Sequence, residues 1–562
     1  MAMNENRKQS IIFGGLISSA GVFLSKVLGL VYVIPFNMIA GDQNIRFYGY
    51  AYNIYSYLLN ISVAGIPFAI ATMVAKYYNV KDYKTALLIK KLSLGLMMAL
   101  GFAGMCFVLL TSGQLAELIL AKGSSAEDIQ ITKNVLIIIS FALFFVPVLS
   151  GYRGFYQGLK RMELYAFSQV FEQLVRVFFL LGAGAIAVYI FDRDQIWAVY
   201  FAVFSATVSA ICALLHIYKY DKEETKEMKA LAAAQERLSN NNPKLLLREL
   251  IIIAIPYFVS SIVAYSQDMI DLMFFSRALE STGMNADLSN YIYGTIIAMH
   301  TKKIIAIPQI LAVGFSASLI PYITTALESK NFKQVCKHVK DTLESVLYIV
   351  LPLSFCLFFF SKEVMYLLFG NPTLSMTDGM GQVVATIQQL DYENYLMRYR
   401  VIDAIFGTIA PLFTSLLIAC RLRKEPLISL AVSAIVKFVS LFFCVQIFGM
   451  AGATMSNLLS YLTIIVMDVY YLNRQYKINW HYTLRKILVM CCCLLLTSFV
   501  YLGLYAIFGD ITRFGRIEMI PLLVLEGMIV LGVYVVLTYF FQLPQQLFHI
   551  DLKMILRKLK RR

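Results

Sequence analysis

Charged side chains inside long apolar runs are the residues of this sequence best placed to do chemistry. Lys26 lies in the middle of the first such run, and Glu172 and Arg176 lie in a later one. A spacing of four residues puts Glu172 and Arg176 on one face of a helix, where they can pair. Because a charge at the centre of a bilayer costs about 2.5–3.5 kcal/mol even on insertion scales, each of these residues is a functional candidate. For Glu172 and Arg176 a purely structural pair is favoured over a functional role, because each can neutralise the other within its own helix.

Two aspartates and two lysines in later apolar runs add to this set. Asp268 and Asp271 are three residues apart and also share a helical face, with no cation inside their predicted span. They therefore need Lys26, a lysine of the eighth run or a bound cation to balance their charge. Lys302 and Lys303 interrupt that eighth run.

Patterns typical of catalysis are missing from the sequence. It contains no Walker A string and no Gly-x-Ser-x-Gly motif. Its 5 histidines form no HExxH pattern, and its 9 cysteines form no CxxC pair. We therefore expect neither an enzyme nor a metal centre, and the only small ligand that the pattern favours is a coupling Na⁺ or H⁺.

Composition limits the class of protein. The 562 residues are 59% hydrophobic and only 15% charged, whereas soluble domains are about 25% charged. A cytosolic enzyme, a disordered protein and a nucleic-acid binder are all poor interpretations. The net charge of +15 fits basic cytoplasmic loops better than a nucleic-acid partner.

Apolar runs long enough to cross a bilayer predict an all-α polytopic membrane protein with about fourteen spans. The predicted spans are 11–36, 47–75, 87–111, 132–152, 166–190, 195–217, 250–276, 291–324, 342–361, 398–419, 426–447, 450–472, 486–508 and 518–541. Lysine and arginine are concentrated in the even-numbered loops and in the C-terminal tail, so both termini are expected in the cytoplasm.

The spans are expected to form two six-helix lobes in parallel repeat, followed by two extra helices. Ile66-Pro67-Phe68 near the end of the second span recurs as Ile320-Pro321-Tyr322 near the end of the eighth. Lobes related in this way enclose a substrate site near the middle of the bilayer. The predicted parts are an N-lobe 1–218, a cytoplasmic linker 219–249, a C-lobe 250–472, extra helices 473–542 and a basic amphipathic tail 543–562.

A longer motif resembles a known family. The residues that carry it are Gly151-Tyr152-Arg153-Gly154-Phe155-Tyr156-Gln157-Gly158, Ser168-Gln169 and Glu172-Gln173-Leu174-Val175-Arg176-Val177. They are similar to the RG-x-x-QG…SQ-x-x-EQ-x-x-RV signature of the polysaccharide biosynthesis and stage V sporulation protein B family. That family belongs to the multidrug/oligosaccharidyl-lipid/polysaccharide exporter superfamily, and its members resemble lipid II flippases of peptidoglycan synthesis.

The resemblance implies a function and a set of roles. The implied fold is two lobes in a V, with two extra helices that form a groove for a lipid tail. The implied activity is transfer of an undecaprenyl-pyrophosphate-linked saccharide from the inner to the outer leaflet of a bacterial cell membrane. Lys26, Lys302, Lys303 and Arg176 would bind the pyrophosphate, and Asp268, Asp271 and Glu172 would balance these charges or bind the coupling ion. Membrane lipids and cell-wall synthesis proteins are the other expected partners.

Two departures from the family pattern accompany this prediction. Many members carry an arginine near the position of Tyr32-Val33, and flippases carry a basic residue near Ala71-Thr72, but this sequence has neither. The cavity is thus expected to hold fewer cations, which leaves the saccharide unspecified.

A cation-coupled multidrug exporter of the same superfamily is the first rival function, and a membrane scaffold of a cell-wall synthesis complex is the second. A membrane-embedded glycosyltransferase is a weaker third option.

Overall fold

This computed structural model describes most of the chain. The described residues are 29, 32–63, 66–235, 242–309, 323, 326–327, 329–377, 382–422 and 424–548. Lys26 and the basic residues of the tail after 548 lie outside them.

The chain packs as two units, and the first comprises residues 1–299 together with 375–385. Its helices are α1 Val33–Ala40, α2 Ile45–Val63, α3 Ile66–Asn79, α4 Tyr83–Ile119, α5 Ala126–Gly158, α6 Met162–Ala185, α7 Ile196–Ala233, α8 Pro243–Glu280 and α9 Ala286–Tyr291. A π-helical turn, Ile186–Ile190, extends α6, and a second, Ile292–Thr301, extends α9. Buried apolar residues of α3, α4, α5, α7 and α8 form one core, which includes Ala69, Ile89 and Leu149.

The second unit comprises residues 300–374 and 386–562. Its helices are α10 Phe332–Phe359, α11 Ser361–Phe369, α12 Gln389–Ala419, α13 Glu425–Phe448, α14 Gly452–Tyr476, α15 His481–Phe508, α16 Ile520–Phe540 and α17 Leu543–Phe548. Short 3₁₀ turns follow α13 at Gly449–Ala451 and α15 at Ile511–Arg513. Buried residues of α10, α12, α14 and α15 form its main core, with Val339, Leu416 and Met490 fully buried.

The predicted spans agree well with the helices. Each of the fourteen overlaps helix within the described residues, and nine helical segments there are long and apolar enough to cross a membrane. The predicted linker is largely helical, because residues 219–233 continue α7 and 243–249 begin α8. The unit boundary places α8 in the first unit, and the lobe boundaries at 218 and 249 remain a prediction.

A β-hairpin was not predicted. Strand β1, Thr373–Thr377, pairs with strand β2, Val383–Gln388. Strand β1 has only five residues, and their alternation between exposed and buried is a weak sequence signal for a strand beside the long helices on either side.

Two turns show the internal repeat in three dimensions. Lys81 and Lys330 both adopt a left-handed backbone, with φ of 62° and 56°. In each turn the next residue, Asp82 or Asn331, donates its backbone N–H to a carbonyl five residues earlier, at 2.9 Å. The side chain of that residue then accepts from a backbone N–H three positions later, at 3.1 Å, and so caps the next helix. The similar sequences Lys81-Asp82-Tyr83-Lys84 and Lys330-Asn331-Phe332-Lys333 therefore make the same turn, one in each unit.

Candidate functional site

The predicted Glu172–Arg176 pair belongs to a three-residue cluster in the first unit. Arg176 Nη2 donates to Glu172 Oε1 at 2.8 Å, and Arg153 Nη2 donates to Glu172 Oε2 at 2.9 Å. All three side chains are largely buried, with relative exposures of 12% for Glu172 and Arg176 and 10% for Arg153. Two guanidinium groups and one carboxylate leave one excess positive charge among helices that cross the membrane.

Helices α5 and α6 position this cluster. Arg153 projects from α5, and its Nε and Nη2 donate to Ser168 Oγ on α6 at 3.1 and 2.9 Å. Glu172 follows Ser168 by one helical turn, so both acceptors face Arg153. The cluster uses residues of the Arg-Gly and Ser-Gln…Glu-Gln…Arg strings, which explains why these residue types occur at this spacing.

The glycines of the motif have a packing role. A Cβ on Gly154 would lie 2.7 Å from the carbonyl oxygen of Pro67, and one on Gly158 would lie 2.8 Å from that of Ala71. Both contacts are with the backbone of α3, which cannot shift as a side chain can. Glycine at these positions therefore lets the backbones of α3 and α5 approach each other closely.

We expect Gly154→Ala to destabilise the protein, because its methyl group would overlap the backbone of Pro67. Overpacking of this kind costs about 1–3 kcal/mol. Gly95→Ala on α4 is the matched control, since its Cβ would meet nothing within 4 Å and alanine favours a helix. Thermal melting of the purified variants in detergent measures both effects. Equal melting temperatures for the two variants would show that α3 and α5 do not need this contact.

Tyrosines surround the open side of Arg176. The Tyr55 hydroxyl lies 3.5 Å from Arg176 Nη2, and the guanidinium carbon is 5.9 Å from the centre of the Tyr55 ring. Tyr48, Tyr52 and Arg176 line a small cavity. Phenol hydroxyls and the guanidinium can both donate hydrogen bonds to an anion, so this cluster offers the donors that a negatively charged group needs.

The remaining predicted residues that the structure describes are divided between the two units. Asp268 is exposed and Asp271 is buried on α8 of the first unit, whereas Lys302 and Lys303 are half-buried in the second unit. Lys26 lies outside the described residues. The roles predicted for these five residues remain predictions.

Comparisons with known proteins decide the family. A family model described as "Polysaccharide biosynthesis protein" matches residues 12–327, more than half of the chain. The chain belongs to the polysaccharide biosynthesis protein family. This match confirms the resemblance seen in the motif. The family and the long apolar helices both indicate a multi-pass membrane protein.

Two relatives match this chain over most of its length. The lipid II flippase MurJ of Bacillus subtilis (strain 168) is 26% identical over 484 residues, covering 85% of this chain and 86% of the relative. Stage V sporulation protein B of the same organism is 22% identical over 413 residues, covering 71% and 77%.

Solved structures share the fold. A structure of the lipid II flippase MurJ in an inward closed conformation has a TM-score of 0.65 at 14% identity, covering 94% of this chain and 98% of that one. An inward-facing multidrug resistance MATE family transporter of the MOP superfamily has a TM-score of 0.61 at 12% identity, covering 81% and 96%.

Sequence reasoning missed a largely buried network of charged residues in the first unit, near the ends of helices. Arg46, at the start of α2, forms salt bridges with Asp128 at 3.1 Å and with Asp287. Thr377 N donates to Asp287 Oδ2 at 2.9 Å, so the hairpin residues of the first unit join the network. These residues come from four distant segments outside the predicted spans, and no local pattern connects them.

A buried pair of one histidine and one glutamate, His300 and Glu393, lies in the second unit. His300 Nδ1 lies 2.5 Å from Glu393 Oε1, and Gln389 Nε2 donates to the same oxygen at 2.9 Å. The His300 ring stacks on Phe369 with centroids 3.6 Å apart. Glu393 lies on α12, far along the chain from His300, so no local sequence pattern predicted this pair.

Proposed function

We propose that this protein is a flippase that moves an undecaprenyl-pyrophosphate-linked saccharide from the inner to the outer leaflet by alternating access. The observation that carries the proposal is the excess positive charge of the Arg153–Glu172–Arg176 cluster among membrane-crossing helices. Similarity to a protein named lipid II flippase over 85% of the chain supports the same substrate class. We place both termini in the cytoplasm, as the distribution of lysine and arginine indicates.

The chemistry of the substrate explains the cations. A pyrophosphate is anionic and cannot cross hydrocarbon unless basic groups in a hydrated cavity replace its water. Guanidinium groups suit this role because they donate two parallel hydrogen bonds to phosphate oxygens. In the proposed mechanism Arg176, Lys26 and the lysines at 302 and 303 hold the pyrophosphate, while Glu172 fixes the orientation of Arg176.

A driving force for transport is available from the membrane. A potential that is negative inside favours outward movement of an anion by about 2.3 kcal/mol per charge per 100 mV. Asp268 and Asp271 are proposed to bind Na⁺ or H⁺ during the return step. No covalent change of the substrate is needed, so the protein acts as a transporter and not as an enzyme.

Vesicles containing the purified protein and lipid II test the proposal. The outer-leaflet fraction of lipid II, read by an enzyme that reaches only that leaflet, is expected to change faster than in protein-free vesicles. Empty vesicles and vesicles with an unrelated membrane protein are the controls. No acceleration together with drug efflux would favour the multidrug exporter, and neither activity would favour the scaffold.

Transport in cells gives a second expected result. Depletion of the protein should cause the lipid-linked precursor to accumulate on the inner leaflet, because its synthesis continues while its export stops. A leaflet-accessibility assay in depleted cells measures this. Unchanged accessibility of the precursor after depletion, in cells without another flippase, would contradict the proposal.

A further inference from the structure

A second cavity lies in the second unit, and none of its lining residues is among those proposed to bind the pyrophosphate or the coupling ion. It has a volume of about 260 Å³ and lies among α10, α11, α12 and α15. Its lining residues are Phe358, Phe359, Lys362, Glu363, Arg398, Tyr501, Leu502, Tyr505 and Asp510. Aromatic side chains and both signs of charge therefore meet in one place.

The cavity presents a positive edge. Arg398 is exposed, and its Nε donates to Ser361 Oγ at 3.3 Å. Its two terminal nitrogens make no hydrogen bond with any described residue, so they are available to an anion. Lys362 also lines the cavity, and its Nζ pairs with Asp510 Oδ2 at 2.5 Å. This hydrogen bond raises the pKa of Lys362, so the ammonium stays charged.

The cavity also presents a buried negative group. Glu363 is only 5% exposed, and its Oε2 has no hydrogen-bond partner among the described residues. Glu526 on α16 is equally buried, and its Oε1 is likewise without a partner there. Burial raises the pKa of Glu363, and the nearby Asp510 and Glu526 carboxylates raise it further. A cationic ligand next to Glu363 would offset both effects.

We propose that this cavity binds the headgroup of a phospholipid that carries a phosphate and a primary ammonium, as in phosphatidylethanolamine. Arg398 and Lys362 hold the phosphate, and Glu363 accepts hydrogen bonds from the ammonium. Exposed apolar side chains at the cavity, Phe358 and Leu502, continue outward to where acyl chains would lie. Tyrosines such as Tyr505 are typical of the headgroup level of a membrane.

This proposal is independent of the flippase proposal, because the lipid is a component of the membrane and not the transported saccharide. By the proposed orientation the cavity faces the outer leaflet, since α10 ends and α12 begins at an odd-numbered loop. The binding measurement does not depend on that orientation.

Delipidated full-length protein in detergent provides the test. Phosphatidylethanolamine should raise the melting temperature more than phosphatidylcholine, whose ammonium cannot donate hydrogen bonds, and more than phosphatidylglycerol, which has no ammonium. Glu363→Gln should remove the preference over phosphatidylcholine. Arg398→Gln should weaken retention of phosphatidylethanolamine in native mass spectrometry by about tenfold. Lys122→Gln, at an exposed lysine of the first unit, is the matched control and should change nothing.

Further measurements keep the result decisive. Leu502→Trp should fill the cavity and abolish stabilisation by phosphatidylethanolamine without touching a charge. Phosphoethanolamine without acyl chains should stabilise the protein far less than the lipid. Equal stabilisation by all three lipids, an unchanged preference in Glu363→Gln, or an equal effect of the free headgroup would each overturn the proposal.

Discussion

Replacing the one carboxylate of the Arg153–Glu172–Arg176 cluster, as Glu172→Gln, is expected to lower the free energy of unfolding by about 3–5 kcal/mol. Glu172 accepts from both guanidinium groups, at 2.9 and 2.8 Å. The amide has one carbonyl oxygen and no charge, so two buried cations would face each other without a counterion. Such an arrangement is costly where neighbouring helices and lipid exclude water.

The measurement is thermal melting of the purified protein together with its expression level. Glu163→Gln is the matched control, because Glu163 lies on the same helix but is largely exposed. Its contact with Arg161 is long, at 3.9 Å. We expect that control to melt like the original protein. A double variant, Arg153→Gln with Glu172→Gln, should recover part of the lost stability because one of the two unpaired cations is gone. Normal melting of Glu172→Gln would mean that water or lipid headgroups neutralise the cluster.

How much of the fold and of the candidate site could be predicted from sequence depended on how far apart along the chain the interacting residues are. The spans follow from apolar runs, and the matching turns at Lys81 and Lys330 follow from a few adjacent residues that fix a local backbone shape. The Glu172–Arg176 pair was found because both residues lie on one helix. Arg153 was quoted only as part of a motif, since nothing in the sequence shows that α5 and α6 bring it to Glu172.

The residues that sequence analysis missed are mostly brought together by tertiary packing. Arg46, Asp128 and Asp287 lie in three segments, and hairpin residue Thr377 joins them from a fourth. Glu526 is a different case. It is the one charged residue of α16, and by the cost of a charge in a membrane span it should have been a candidate from the start.

The largest expected effect on function is that of Lys26→Ala. Lys26 lies mid-way along the first predicted span, too far from either end for its ammonium to reach the interface readily. A cation kept at that depth is expected to bind the anionic pyrophosphate, so its removal should abolish complementation of a depleted strain while the protein is still made and still melts normally. Lys26→Arg should retain partial activity, because the charge remains.

Growth of the depleted strain, together with the membrane level of each variant, measures this prediction. Lys122→Ala is the matched control, since it removes an exposed lysine far along the chain and leaves the apolar runs intact. Loss of growth with loss of protein would make Lys26 a structural residue. Normal growth of Lys26→Ala would show that the cations of the described residues, Arg176 foremost, suffice for the headgroup, and the excess charge of the Arg153–Glu172–Arg176 cluster would then carry the binding alone.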